Sequence, residues 1–337
     1  MLNFDEKRFL RIQSGAVSHA GGLYRAVQEC LEQGAQNLFF LGTGGAAVLM
    51  MPAAQMLQRQ SSFPTFLEMS AEVVLTGHRA LGPNSIVVIP SLSGTTEESV
   101  AVMEYCKAKG AKIISLVGHA DTPLAKGADY PFVNFAEDDT SCESFYLQSL
   151  LVALAVMHLR GEYADFDETA QELVRLPHAL LNTKKAYEDR AERVAEEIKN
   201  ESYHIITGAG SSWPEAFYYG MCTLEEMQWI RTRPVHASDF FHGTLELVEK
   251  EVSVLLFKGE DASRPLVERV ERFLPAYTDK VRVFDTAEFT LPGISANVRP
   301  LISPVILATI FERISAHLEV KRNHPLTTRR YYKRVAY

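Results

Sequence analysis

The sequence predicts an α/β protein made of two copies of one unit, each a parallel sheet covered by helices on both faces. Three observations predict it. Short apolar runs alternate with helix-like stretches from Asn37 to Gly118. The same alternation restarts at Tyr203 after a charged middle. In both halves the first apolar run ends in a glycine-rich turn, "LGTGGAA" at Leu41–Ala47 and "TGAGSS" at Thr207–Ser212. Continuous apolar strands between helices mark a parallel sheet buried on both sides.

In chain order, "NLFFL" (Asn37–Leu41) reads as the first strand, and its glycine turn opens a helix. "SIVVIP" (Ser85–Pro90) is the second strand signal, followed by "SLSGTTEES" and a helix. "KIISLVG" (Lys112–Gly118) is the third, and Gly110 before it is a helix stop. "LQSLLVALAVMHL" (Leu147–Leu159) is shorter than the ~20 residues that span a bilayer and reads as a core helix. "EDRAERVAEEIKNE" (Glu188–Glu201) reads as a solvated linker helix. In the second half "VSVLLFKG" (Val252–Gly259) echoes "SIVVIPS", and "KVRVFD" (Lys280–Asp285) echoes "KIISLVG". The expected division is residues 1–185, 186–323 and a tail over 324–337.

With 337 residues, 47% of them apolar, the chain suits two cores. A net charge of −8 excludes a general nucleic-acid surface, which needs clustered Lys and Arg. The amino terminus "MLNFDEKRFL" is charged and lacks an apolar leader, so no membrane partner is expected. Cys30, Cys106, Cys142 and Cys222 lie far apart, with no spacing that signals zinc or a disulfide framework. Free thiols suit a reducing compartment, and a cytoplasmic location is expected.

"SLSGTT" (Ser91–Thr96) sets hydroxyls and a glycine between a strand and a helix. Thr95 and Glu98 have capping-box spacing, which predicts a helix start there. A helix amino terminus offers unpaired N–H groups and the positive end of the dipole. With Ser91, Ser93 and Thr96 around it, that point can hold a dianion without lysine. On spacing alone the stretch reads equally as a richly capped turn. The turn at Thr43, Gly44 and Gly45 also allows close backbone approach, but it is not GxGxxG, so a dinucleotide fingerprint is not indicated.

Strand–"GTGG"–helix followed by strand–"SLSGTT"–helix resembles the sugar isomerase (SIS) domain, and the duplication resembles a double-SIS protein. The resemblance implies two tandem SIS domains, each a three-layer αβα sandwich with a mostly parallel, flavodoxin-like sheet. "LEEMQWIRTRPVHASDFFHGTLEL" (Leu224–Leu247) resembles the catalytic segment of the isomerase half of glucosamine-6-phosphate synthase and of the deglycases of phosphorylated Amadori compounds. The tail "HPLTTRRYYKRVAY" (His324–Tyr337) is most similar to the fructoselysine- and fructose-aspartate-6-phosphate deglycases.

Carried over residue by residue, the resemblance implies a phosphosugar held by Thr43, Gly44, Gly45, Ser91, Leu92, Ser93 and Thr96, with Glu226 as base and His242 as acid. Ala46 stands where the family's first turn often has serine, so backbone N–H groups must serve there. Lys333 sits near the register of a ring-opening lysine in the aminotransferring relatives. Arg329, Arg330, Tyr331 and Tyr332 either close over the site and bind an amino acid's carboxylate or pin the C-terminus. The second half carries "LLFKGEDASRP" in place of a hydroxyl cluster, so it supplies catalytic side chains rather than a phosphate cradle.

Proton abstraction from carbon needs a carboxylate with a pKa nearer neutrality than water gives it. Glu226, flanked by Leu224, Met227 and Trp229, is expected in an apolar wall that raises its basicity by desolvation, with Glu225 facing water. His242 in "DFFHG" suits proton carriage near neutral pH, whereas His236 reads as loop packing. The implied reaction is cleavage of a fructosamine 6-phosphate to glucose 6-phosphate and a free amino acid, with no cofactor and no metal. A glucosamine-6-phosphate deaminase, an aldose–ketose isomerase and a non-catalytic sugar-phosphate sensor are the rival readings. A homodimer is expected by resemblance, with His242 able to cross into a partner's site.

Overall fold

The computed structural model describes residues 1–136, 142–332 and 334–336. The chain divides into two compact units. The N-terminal unit holds residues 6–177 and 293–298; the C-terminal unit holds 1–5, 178–292 and 299–337.

In the N-terminal unit the strands are β1 (Asn37–Gly42), β2 (Thr65–Met69), β3 (Ser85–Ser91), β4 (Lys112–Val117) and β5 (Tyr130–Val133). They form one parallel sheet in the order β2-β1-β3-β4-β5. Every residue of β3 is buried, as a central parallel strand requires, while β2 and β5 at the edges are half exposed. The helices are α1 (Glu6–Ser18), α2 (Ala20–Glu32), α3 (Gly44–Val48), α4 (Met51–Gln60), α5 (Ser70–Thr76), α6 (Glu97–Ala108), α7 (Pro123–Gly127) and α8 (Cys142–Leu159). One core joins Phe39, Val87, Ile89 and Ile113 of the sheet to Val102, Met103 and Cys106 of α6. Helix α8 is buried from Glu143 to Met157, in agreement with its apolar sequence.

Helix α9 (Phe166–Ile198) contains the unit boundary at Pro177. The C-terminal unit then builds β6 (Tyr203–Gly208), β7 (Arg231–His236), β8 (Ser253–Lys258) and β9 (Val281–Asp285), parallel throughout, in the order β7-β6-β8-β9. Helices α10 (Trp213–Tyr218), α11 (Arg264–Phe273) and α12 (Arg299–Lys321) complete it, with a π-helical turn over Tyr219–Glu225. Phe257 of β8 stacks on Phe311 of α12 at 4.2 Å. Helices α8 and α12 are long and apolar enough to cross a bilayer, yet 89% of each apolar window is buried among other elements.

Two expectations change. The linker over 188–201 is not a solvated helix. Tyr187, Ala191, Val194, Ala195 and Ile198 belong to the C-terminal core, because the charges of that stretch occupy only the opposite faces. Helix α6 starts at Glu97 with Thr96 at its N-cap, not at a Thr95–Glu98 box. The Thr96 hydroxyl bonds to Ser91 Oγ at 3.0 Å and so does not cap the helix.

A buried charge network ties α9 to α12. Lys184 Nζ and Arg313 Nη2 hold Glu312 at 2.8 and 2.6 Å, and Arg313 Nη1 and His317 Nε2 hold Glu188 at 3.3 and 3.1 Å. Burial pushes the Glu312 carboxyl up, but Lys184 and Arg313 outweigh it and set it at about 2. His204 of β6 is buried, with Nδ1 2.9 Å from Ser253 Oγ. Burial, aided by Arg282, pulls its pKa down to about 3 from 6.5.

The linkage fixes a sign. A folded-state pKa below the unfolded one gives stability that is complete above pH 6.5 and lost as pH falls toward 3. Glu312 contributes its loss only below its ordinary value of 4.5. Between those limits the slope reports His204, up to about 1.4 kcal/mol per pH unit, together with a contribution from His324, whose pKa burial also lowers. Urea unfolding of wild type and His204→Gln at neutral pH and at about pH 5 is expected to show the smaller loss in the variant. Equal losses would remove His204 as the cause.

Candidate functional site

Strand order β2-β1-β3-β4-β5 reverses direction between β1 and β3. The turns after these neighbours therefore open a crevice at their carboxyl ends, where α/β sheets bind ligands. The first turn is Thr43–Gly45. Thr43 is the extended residue before α3, and its Oγ1 is buried without a hydrogen bond within the protein. Gly44 has φ +57°, and a Cβ there would meet open space, so the backbone is bare on that side.

The second turn is Ser91–Thr96. Gly94 has φ +63°, and a Cβ added to it would lie 2.7 Å from Thr122 Cβ, so only glycine fits. Gly94 N donates to Ser91 O at 3.1 Å, closing the turn, and Thr95 N donates to Ser93 Oγ at 3.3 Å. The Ser93 hydroxyl keeps its proton for another acceptor. Ser91 and Thr96 spend one proton between them on their mutual bond, leaving the other to donate outward. Leu92 is fixed by its carbonyl, which accepts from Gly118 N at 3.0 Å. The structure thus brings the hydroxyls of Thr43, Ser91, Ser93 and Thr96 to adjacent turns of one sheet edge, at the amino end of α6. This is a donor set for an oxyanion.

The second sheet reverses between β6 and β8, and its crevice is differently filled. Asp261, in the turn after β8, accepts from Ser211 N at 2.7 Å, Ser211 Oγ at 2.5 Å and Ser263 N at 2.7 Å. A Cβ on Gly210, at φ +56°, would lie 2.8 Å from Asp261 Cγ. The glycine turn after β6 therefore receives the protein's own carboxylate. Of the charges in "KGED", Asp261 takes turn amides, while Lys258 pairs with Glu271 and Glu260 with Arg299.

Glu226 caps the π-helical turn, and its N–H reaches Met221 O five residues back at 3.1 Å. Single π turns inside helices recur at functional sites because the extra residue re-aims the side chains that follow. Leu224 and Met227 are buried as expected, and Glu225 is exposed and accepts from Thr232 Oγ1 at 2.5 Å. The expected apolar wall around Glu226 is corrected. Its side chain is 30% exposed, and Oε1 is 2.9 Å from Arg329 Nε of the tail. A guanidinium at that distance favours the ionised carboxylate, the form a base requires.

His242 is exposed on the turn after β7, its N–H held by Asp239 O at 2.9 Å. Glu226 precedes the amino end of β7 and His242 follows its carboxyl end. The chain between them runs through the six residues of β7 and then doubles back, since Arg233 Nε donates to Thr244 Oγ1 at 3.0 Å. His236 bonds to Ser238 Oγ and packs edge-on to Trp213. Arg330 lies over the Trp229 ring at 3.9 Å and Tyr332 within 5.9 Å of the Arg329 guanidinium. Lys333 lies outside the described residues. The Glu226–Arg329 pair had no local sequence signal, since its partners come from opposite ends of the unit.

Residues 33–158 match the SIS domain family model. Among curated relatives, the fructosamine deglycase FrlB of Bacillus subtilis is 28% identical over 89% of this chain and 92% of its own. The fructoselysine 6-phosphate deglycase of Escherichia coli is 26% identical over 94% of this chain and 91% of its own. Among solved structures, a provisionally named phosphosugar isomerase from Salmonella typhimurium superposes with a TM-score of 0.88 at 29% identity, covering 96% of this chain and 97% of that one.

Gly94→Ala is expected to destabilise the protein by about 1–3 kcal/mol through its positive φ and the Thr122 contact. Gly34→Ala, also at positive φ but with open space around it, serves as the control. Thermal melts of the two variants decide. Equal shifts would mean that Thr122 does not constrain the turn.

Proposed function

Because the chain belongs to the SIS domain family, we propose that it is a deglycase that cleaves a 6-phosphorylated fructosamine to glucose 6-phosphate and a free amino acid. The observation that carries this reading is the pairing of functions. One unit has a hydroxyl-lined switch point, and the other has a glutamate paired with Arg329 on a π turn and its own switch point closed by Asp261. Curated relatives matched along most of this chain are deglycases, which supports the choice among SIS chemistries.

In this reading Ser91, Ser93, Thr96 and the first-turn backbone hold the 6-phosphate. Glu226 takes a proton from C1, whose acidity comes from the C2 carbonyl. The electron pair forms a C1–C2 double bond, and the C2 oxygen takes a proton. Return of a proton to C2 moves the unsaturation to a C1–N imine. Water adds at C1, the C–N bond breaks, and the amine leaves with a proton. Arg329 keeps Glu226 ionised before substrate arrives and yields part of that contact as the proton moves. His242 serves as the acid, in the site of its own chain or in that of a second copy.

Glu226→Gln is expected to keep glucose 6-phosphate binding while losing at least about 100-fold in turnover. Ser93→Ala with Thr96→Val is expected to raise KM about tenfold or more while moving kcat less. The assay is glucose 6-phosphate release from 6-phosphofructosamines. Ammonia from glucosamine 6-phosphate with no release from any fructosamine, or full turnover by Glu226→Gln, would overturn the reading.

A further inference from the structure

At the amino-terminal edge of the second sheet lies a cavity of about 350 Å3 lined by Trp229, Arg231, Arg322 and Arg330 together with Asn200, Glu201 and their neighbours. Among the described residues, none of these three arginines has a carboxylate within ion-pairing distance. Arg322 donates to the backbone carbonyls of Lys199 at 2.5 Å and Gln228 at 3.4 Å, and its buried Nε makes no hydrogen bond within the protein. Burial alone pulls its pKa below the ordinary guanidinium value. Arg330 is stacked on Trp229, which leaves its N–H edge for an anion. The one carboxylate in the lining, Glu201, is held by Lys280 Nζ at 2.9 Å. Three cations without carboxylate partners, one of them partly desolvated, gathered on one concave surface of a chain with net charge −8, call for an anionic ligand.

The cavity also has a fixed relation to Glu226. Trp229 stands three residues past it on the same turn, at φ +55°, and Arg330 follows Arg329, which pairs with Glu226. The His324 ring meets Trp229 at 4.5 Å, and Gln228 Nε2 donates to His324 O at 2.7 Å, so the tail is pinned along this wall. Resting on the deglycase reading, we propose that this cavity receives the amino-acid portion of the substrate and selects adducts with a side-chain carboxylate. An aspartate or glutamate adduct brings two carboxylates to three guanidiniums. A lysine adduct linked through its ε-nitrogen brings one carboxylate and an α-ammonium group, which the arginines repel.

The test is kcat/KM for 6-phosphofructose adducts of aspartate, glutamate and lysine. Wild type is expected to favour the acidic adducts by at least about tenfold, a difference of about 1.4 kcal/mol. Arg231→Gln combined with Arg330→Gln, both at exposed positions, is expected to lower kcat/KM for the acidic adducts, raise it for the lysine adduct and bring the ratio to within about threefold. A wild-type preference for lysine, or a ratio unmoved in the double variant, would overturn the selection while leaving deglycation intact. Release from none of the adducts would overturn both.

Discussion

The structure depends on one constraint of parallel sheets. Where strand order reverses, two neighbouring strands send their chains away in opposite directions, and the backbone donors at their carboxyl ends are left facing a gap. This protein contains that situation twice and resolves it in two ways. Between β1 and β3 the turns offer hydroxyls and amides, with Gly94 held against Thr122 and Thr43 Oγ1 left unpaired. Between β6 and β8 the same kind of glycine turn is satisfied by Asp261. An internal carboxylate already in place competes with any external anion, so the two switch points differ in what their turns leave to donate.

The second unit uses its opposite edge instead. A π turn ends in Glu226, and the chain then enters β7, so the carboxylate stands at the amino-terminal end of the sheet. The tail completes that edge. Arg329 holds the carboxylate, Arg330 covers Trp229, and His324 and Gln228 fasten the segment that carries both arginines. The α9–α12 charge network belongs to the same unit, but no residue of it lies in the arginine-lined cavity. Glu312 is held at about 2 because Lys184 and Arg313 outweigh its burial, so its carboxylate stays charged at neutral pH.

Strands buried on both faces were legible from sequence because burial writes itself as a continuous apolar run. Thus β1, β3, β4, β6 and β8 follow from their residues, while β9, a partly buried edge strand, was read only from its likeness to "KIISLVG". The edge strands do not: "TFLEM" and "YPFV" are mixed, and "RTRPVH" alternates charge with proline, which an edge strand tolerates. The hydroxyl cluster was legible as a turn between strand and helix, but the identity of the cap was not. Thr95 and Thr96 have equal local claims, and only the reach of Ser91 decides between them. The apolar flanks of Glu226 correctly placed Leu224 and Met227 inside. They also suggested a desolvated carboxylate, which Arg329 from the far end of the chain contradicts. Local sequence carries burial well and carries tertiary ion pairs poorly.

The proposal's central claim is that alcohols and amides of the turns after β1 and β3 grip the phosphate and that Glu226 takes the proton from carbon. A crystal structure of Glu226→Gln with a bound 6-phosphofructosamine tests it most directly. The account predicts the phosphate between the turns after β1 and β3, within hydrogen-bond reach of Ser91, Ser93 and Thr96, and the carboxamide of residue 226 beside C1. A phosphate seated elsewhere, or residue 226 turned away from the sugar, would contradict it.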